Sequence, residues 1–293
     1  MAERSKYTIG RGRTCCALAL LVVVAAMPSV TRGEGGFWGQ SQSENEGDSS
    51  RAQKEAAINS LPMQRLTREA QARILSIAGK PTIYRRLPTQ MIDCDRDMFL
   101  FLSRNPEVLV AMWDLMGITN VQISRTGPYQ MEAVDGSGTT CQVDLVYGDP
   151  NLHVFVASGS YDGPLVAKPI TGNGVFILTS RYAESASGRT TVTGTLDCFL
   201  QLESLGADLI ARTLSGLIGR SADNNFTETA KFIAQVSQAS EKNPQAMLDV
   251  ASRLPQVTEP VRGEFVTRIV SVARNGVERG EQDEQDARVA QKP

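Results

Sequence analysis

The sequence predicts an α+β protein: an antiparallel sheet of about six to seven strands, then a long helix, with added helices at both ends. Three observations predict it. Between residues 121 and 203, short segments of alternating character are separated by turn residues. The apolar period is helical on both sides of that region. The last strand-like segment divides into two faces of different polarity. Period 2 marks strands and period 3.6 marks helices.

The first 33 residues read as a secretory leader. Arg4, Lys6, Arg11 and Arg13 precede an apolar run of thirteen residues from Cys15 to Met27. A bilayer-spanning helix needs about 20, and a basic start before a short apolar run describes a signal peptide. Cleavage after Gly33, or nearer Ala26 or Ser29, would release the mature chain, which is expected in the periplasm, cell envelope or medium. An uncleaved anchor is the competing reading and would be the only membrane contact. Cys15 and Cys16 precede the apolar run, where a lipid-modified cysteine would follow it.

Export changes the charge balance. Residues 1–33 hold five of the 30 Lys and Arg and one of the 32 Asp and Glu, leaving 25 and 31 and a net charge of −6. An acidic chain without a dense basic cluster does not suit nucleic acid, whose phosphates demand Lys and Arg. Cys94, Cys141 and Cys198 remain. Three cysteines are too few for a disulfide scaffold. They read either as small buried hydrophobes or as one bridge, such as Cys94 to Cys198, with a free thiol.

Residues 34–50 are rich in Gly, Ser, Gln and Glu and read as a flexible linker. Residues 51–80 form one or two helices, with Ile58, Leu61, Leu66, Ala70, Ile74 and Ile77 as an apolar stripe and Pro62 interrupting it. The core unit spans 82–220. It opens with extended "TIYRRLPTQMIDCD", in which Asp95 or Asp97 caps a helix at Met98. Asn105 and Pro106 start a second helix, which Gly117 ends. Six strand-like segments follow, from "VQISRT" to "TTVTGTLDCFLQLE". In the last, Val192, Leu196, Cys198, Leu200 and Leu202 share one face; Thr193, Thr195, Asp197, Gln201 and Glu203 share the other, with Phe199 the exception. One face is expected to pack inward and one to meet solvent. Leu205, Leu209, Ile210, Leu214, Leu217 and Ile218 then line a helix expected to stop at Gly219. A C-terminal helical extension covers 221–275, beginning with a helix capped by Asn225 with Glu228 at capping-box spacing. The charged stretch 276–293 reads as a disordered tail.

This order of a strand, two short helices, about six antiparallel strands and a long helix resembles the START and Bet v 1-like helix-grip superfamily over about residues 82–220. The stretches "RNPEVLVAMWDLMG" and "ADNNFTETAKFIAQVSQ" resemble uncharacterised exported proteins of planctomycete bacteria. The helix-grip resemblance implies a curved sheet wrapping the last long helix around an apolar cavity. Leu145, Tyr147, Leu178, Leu200, Leu209 and Leu214 are the candidates for its lining, beneath a helix at 205–218. The occupant would be an apolar or lipid-like small molecule, in a volume of about 300 Å³ or more.

Chemistry is narrowed by what the sequence lacks. One histidine, His153, excludes sites built from several. There is no C-x-x-C pair outside the leader, no Walker-type Gly-Lys-Ser/Thr and no G-x-S-x-G. Asp93, Asp95 and Asp97 lack the glycine and distal glutamate of a calcium loop. No cofactor, metal site or catalytic residue is therefore assigned. Two alternatives to a small-molecule binder remain: an envelope structural or interaction protein using the helices at 51–78 and 223–275, and a cyclase- or hydrolase-like enzyme using His153 with Asp144 or Asp162.

Overall fold

The computed structural model describes residues 46–163, 168–186, 188–203 and 207–290, with backbone alone for 207–218 and 283–290. The leader and most of the linker lie outside the described residues. Helices α1 (Arg51–Asn59) and α2 (Arg68–Gly79), joined by a single 3₁₀ turn at Met63–Arg65, precede the sheet. Ser50 and Thr67 cap them by accepting from the Gln53 and Ala70 N–H groups.

Strands β1 (Ile83–Arg86) and β2 (Gln90–Asp93) lead to α3 (Arg96–Arg104) and α4 (Pro106–Leu115). The remaining strands are β3 (Gln122–Arg125), β4 (Gln130–Val134), β5 (Thr139–Gly148), β6 (Leu152–Tyr161), β7 (Ile170–Glu184) and β8 (Thr190–Leu202). All eight form one antiparallel sheet in the order β1-β8-β7-β6-β5-β4-β3, with β2 also on β8. β1 pairs with Asp197–Leu200 and β2 with Thr191–Gly194, so the two lie in line along one edge of β8. Three helices follow: α5 (Ala207–Lys242), α6 (Pro244–Arg253) and α7 (Glu259–Ala290).

Both faces of the sheet are covered. On the inner face, Met131, Val143, Phe155, Phe176 and Leu196 join one core with α3 to α7. On the outer face, Val154, Val156, Val175, Ile177 and Phe199 form a second core with α1 and α2. The expectation that the second face of β8 meets solvent is thus corrected. Phe199 breaks the polar pattern because Tyr84, Ile74 and Ala70 lie in the same cluster. Its ring centroid lies 4.8 Å from that of Tyr84. Asp197 on the same face is buried, and it accepts two hydrogen bonds from Arg86, each 2.9 Å, and one from the Tyr84 hydroxyl.

Other expectations are met or moved. Asp95 caps α3, accepting from the Asp97 and Met98 N–H groups. Asn105 stands at the α4 N-cap but does not cap it; its amide donates to Phe101 O and its carbonyl accepts from Arg125. Gly117 ends α4 with φ of 68°, a backbone that suits glycine. The helix expected to stop at Gly219 instead runs on through Asn225 to Lys242. At Gly219 a Cβ would stand 3.2 Å from the Arg85 guanidinium, and Arg85 in turn pairs with Asp223. The glycine therefore permits a close approach and does not terminate the helix. Asn225 is a buried position inside α5. Residues 276–290 of the stretch expected to be disordered continue α7, and 291–293 lie outside the described residues. Arg279 there pairs with Glu241 at 2.9 Å, and Asn275 just before it donates to Asp95.

The three cysteines are free and buried, so the alternative of a Cys94–Cys198 bridge is corrected. Burial pushes the Cys94 and Cys141 thiols up to about 12 and Cys198 higher still. The last residues of the expected linker are docked: Asp48 pairs with Arg86 through the backbone, and Gly47 N–H donates to Asp223.

Candidate functional site

Between the inner face of the sheet and α5 lies an apolar cavity of about 100 Å³. Alternation supplies its walls: Met131 and Ala133 of β4, Val143 of β5 and Phe155 of β6 point to one side. The helix supplies Phe226, Thr229, Ala230 and Ile233, the i, i+3, i+4, i+7 set of one helical face. Phe99, Leu102 and Ser103 of α3 close a third side. Small residues face one another here, with Gly194 and Ala133 on the sheet and Ala230 on the helix. Larger side chains at these positions would occupy the space.

The volume is about a third of that expected for a carrier of drug-sized ligands. It is smaller than the roughly 150 Å³ engineered cavity that binds benzene. It suits a molecule no larger than one small ring.

The candidate lining residues divide. Leu178 lines the cavity. Leu200 is buried in the same inner core away from it. Leu145 packs on that core and lines a neighbouring polar cleft. Tyr147 stands on the opposite face with Val154, although it follows Leu145 by two residues. The reason is a bulge: Leu145 is opposite Phe155, but Tyr147 is opposite Val154, so Val146 is an extra residue that reverses the facing. There Tyr147 donates to Asp149 at 2.6 Å. Leu209 and Leu214 lie where side chains are outside the description. Among the described residues, α5 faces the cavity with 226–233; the side chains of the expected segment 205–218 lie outside the described residues. Phe226, Ala230 and Ile233 stand at helical spacing in the sequence, within the segment expected to be a separate helix capped by Asn225. Thr229 carried one signal, a hydroxyl residue on an apolar face.

The residues considered for catalysis do not converge. His153 is fully buried, and its Nε2 accepts from Arg104 Nε at 3.0 Å. Asp144 pairs with Arg73 of α2, 2.7 Å away on the outer face. Asp162 is exposed in the turn after β6. Burial, then the charge of Arg104, lowers the His153 pKa to about 4, so the ring is neutral at pH 7. No group of three His, Cys, Asp or Glu among the described residues is placed to hold a metal ion.

Two surface features flank the cavity. A polar cleft of about 380 Å³ is lined by Arg104, Arg125, Arg268, Asp97 and Glu264 and shares Met131 with the cavity. Its charges are mostly paired: Arg125 with Glu107 at 2.6 Å, and Arg268 with Glu264 and Asp97. A groove of about 320 Å³ between α4, α5 and α6 is lined by Met112, Met116, Phe232, Met247 and Val250. No helix among the described residues is long and apolar enough to cross a membrane.

No family model and no curated protein matches the sequence. Solved structures resemble it in part. A conserved protein from Geobacillus kaustophilus is 11% identical over 50% of this chain and 93% of its own, at a TM-score of 0.35. The human StarD13 lipid transfer and protein localization domain is 9% identical over 52% and 79%, at 0.30. Ara h 8.0201 is 10% identical over 48% and 95%, at 0.28. The class that the chain's own topology defines is α+β with a helix-grip-like arrangement, an antiparallel sheet covered by a long helix.

Proposed function

We propose that this chain is an exported, non-enzymatic protein that binds a small apolar molecule between the sheet and α5. The observation that carries the reading is the apolar cavity of about 100 Å³ walled by the sheet, α3 and α5. An apolar space too large for close packing and too apolar to favour water gains dispersion contacts when an apolar molecule fills it. The basic start and thirteen-residue apolar run of the leader support export.

The test is native mass spectrometry on protein recovered from the producing cell, before and after organic extraction, with the N-terminus read from the same sample. A discrete extra mass removed by extraction, on a chain beginning near residue 34, supports both halves of the proposal. A clean mass, with no thermal stabilisation by any small apolar compound, overturns binding. An N-terminus at Met1 overturns leader removal.

One observation favours a second reading, an envelope interaction protein. Leu115 and Met116 are 40% and 59% exposed beside the Met-lined groove. That surface lies on α4 to α6. Its α5 and α6 residues belong to the expected partner region 223–275, whereas the other expected region, 51–78, covers the sheet. If Met116→Asp changes the oligomeric state in light scattering, this reading gains.

A further inference from the structure

The polar cleft of about 380 Å³ holds one guanidinium whose charge is left uncompensated among the described residues. Arg125 and Arg268, which line the same cleft, are each met by carboxylates: Arg125 by Glu107, and Arg268 by Glu264 and Asp97. Arg104 differs. Among the described residues its side chain makes no ion pair and one hydrogen bond, from Nε to Nε2 of His153 at 3.0 Å. That partner is a neutral ring at pH 7, so it fixes the guanidinium without cancelling its charge. Arg104 is half-buried, and its two terminal nitrogens bond to no described group and are not shielded from solvent.

The backbone beneath Arg104 is braced as well. Arg125 Nη2 donates to the Arg104 carbonyl at 3.2 Å and to Asn105 Oδ1 at 2.9 Å, which ties the end of α3 to β3. A guanidinium anchored through Nε keeps its two terminal nitrogens for a carboxylate, in the fork geometry that carboxylates fit. A side chain already fixed loses little freedom when it binds.

The cleft also offers apolar surface that a ligand can reach. Leu100 and Leu145 are half-buried, and Tyr129 is 61% exposed. Its volume falls within the range of about 300–1,000 Å³ usual for small-molecule sites. One free cation suits one negative charge. A dianion would meet the exposed Asp97 and Glu264 carboxylates with a single unpaired guanidinium to answer it.

We infer that the cleft is a second binding site, for a small monocarboxylate with an apolar body. The carboxylate takes the terminal nitrogens of Arg104, and the body lies against Tyr129, Leu100 and Leu145. His153 is a positioning residue that holds Arg104; no covalent step is involved. The inference goes beyond the apolar cavity and does not rest on it.

The experiment titrates benzoate, benzyl alcohol and inorganic phosphate into the protein at pH 7, followed by calorimetry and by amide NMR shifts. The wild type is expected to bind benzoate ~10-fold more tightly than benzyl alcohol, the effect of charge-assisted hydrogen bonds. The largest shifts should fall at Arg104, Arg125 and Tyr129, and phosphate should bind more weakly than benzoate. Arg104→Met should weaken benzoate ~10-fold and leave benzyl alcohol unchanged. Arg104→Lys keeps the charge without the fork, so its benzoate affinity should fall between those two. Circular dichroism shows which variants fold; if Arg104→Met does not, Arg104→Lys and the wild-type shifts decide. Equal binding of benzoate and benzyl alcohol, a preference that survives Arg104→Met, unchanged benzoate affinity in Arg104→Lys, or shifts centred on Phe226 and Ala230 would overturn the assignment of Arg104. Phosphate binding more tightly than benzoate would overturn the monocarboxylate class. If none of the three binds, the inference fails while the apolar cavity, tested by organic extraction, stands or falls separately.

Discussion

Arg104 of α3 donates from Nε to Nε2 of His153 at 3.0 Å, and the imidazole that accepts has no exposed surface. The bond requires a neutral ring. It ties the C-terminal end of α3 to the start of β6 beside the polar cleft. Asp149, in the turn before β6, is the acid that acts on this ring and partly opposes the shift, while Arg104 reinforces it.

A pH dependence of stability follows. The folded pKa is about 4 against an ordinary 6.5, so between these values the unfolded chain binds a proton that the folded chain does not. The contribution is full above about pH 6.5 and is lost as pH falls toward 4, on the order of 3 kcal/mol in all. Urea unfolding at pH 7, 5.5 and 4.5 checks this against His153→Gln, whose carboxylates titrate alike but which lacks the ring. The wild type should lose more stability than the variant across that window. Parallel losses would show that His153 is not held neutral.

Glu107 is 2% exposed at the start of α4, and Arg125 of β3 reaches it with two nitrogens, at 2.6 and 2.7 Å. Burial pushes the Glu107 carboxyl up, and the charge of Arg125 opposes that shift. Arg125→Met strands the carboxylate and is expected to cost about 3–5 kcal/mol. Arg125→Met with Glu107→Leu should recover part of the loss. The remainder reports on the Pro128, Arg104 and Asn105 oxygens that Arg125 also serves. A denaturation double-mutant cycle measures both. Strict additivity would deny the coupling.

Phe199 is fully buried on the outer face, against the α1–α2 layer. Phe199→Ala should cost about 3–5 kcal/mol, the usual range for an emptied aromatic core position. The cavity lies on the other side of the sheet, so the thermal shift given by a bound ligand should persist. Loss of ligand response in a still folded variant would show that the two faces are coupled.

The thiols provide a fourth check. Cys94, Cys141 and Cys198 are buried and unpaired, and burial disfavours their thiolates. Iodoacetamide should leave all three unmodified in the native protein. In denaturant without reductant it should add three groups to the chain lacking its leader. One group in place of three would reveal a disulfide.

Much of the layout is legible from local chemistry. Turn pairs such as Asp135-Gly136 and Asp149-Pro150 mark the strand boundaries, and Asp95 announces α3. What failed did so for identifiable reasons. Val146 inserts one residue into β5, and strict alternation then places Tyr147 on the wrong face. Gly219 carries a helix-stop signal that the nearby Arg85 guanidinium reinterprets as close packing. The charged stretch from Gly276 is tied down by Arg279–Glu241, a pair formed across 38 positions of sequence.

By itself the sequence determined the element types and their order, a strand-rich middle between helical ends, because periods of 2 and 3.6 are set by backbone geometry over a few neighbouring residues. It also determined that no site built from several histidines is possible, a matter of composition. Only the tertiary structure decided that the N-terminal helices cover the sheet's second face, that α5 is one helix, and that Phe226, Ala230 and Ile233 of that helix wall an apolar cavity. Each depends on which distant surfaces meet, and contact energies between remote segments leave no mark in local periodicity.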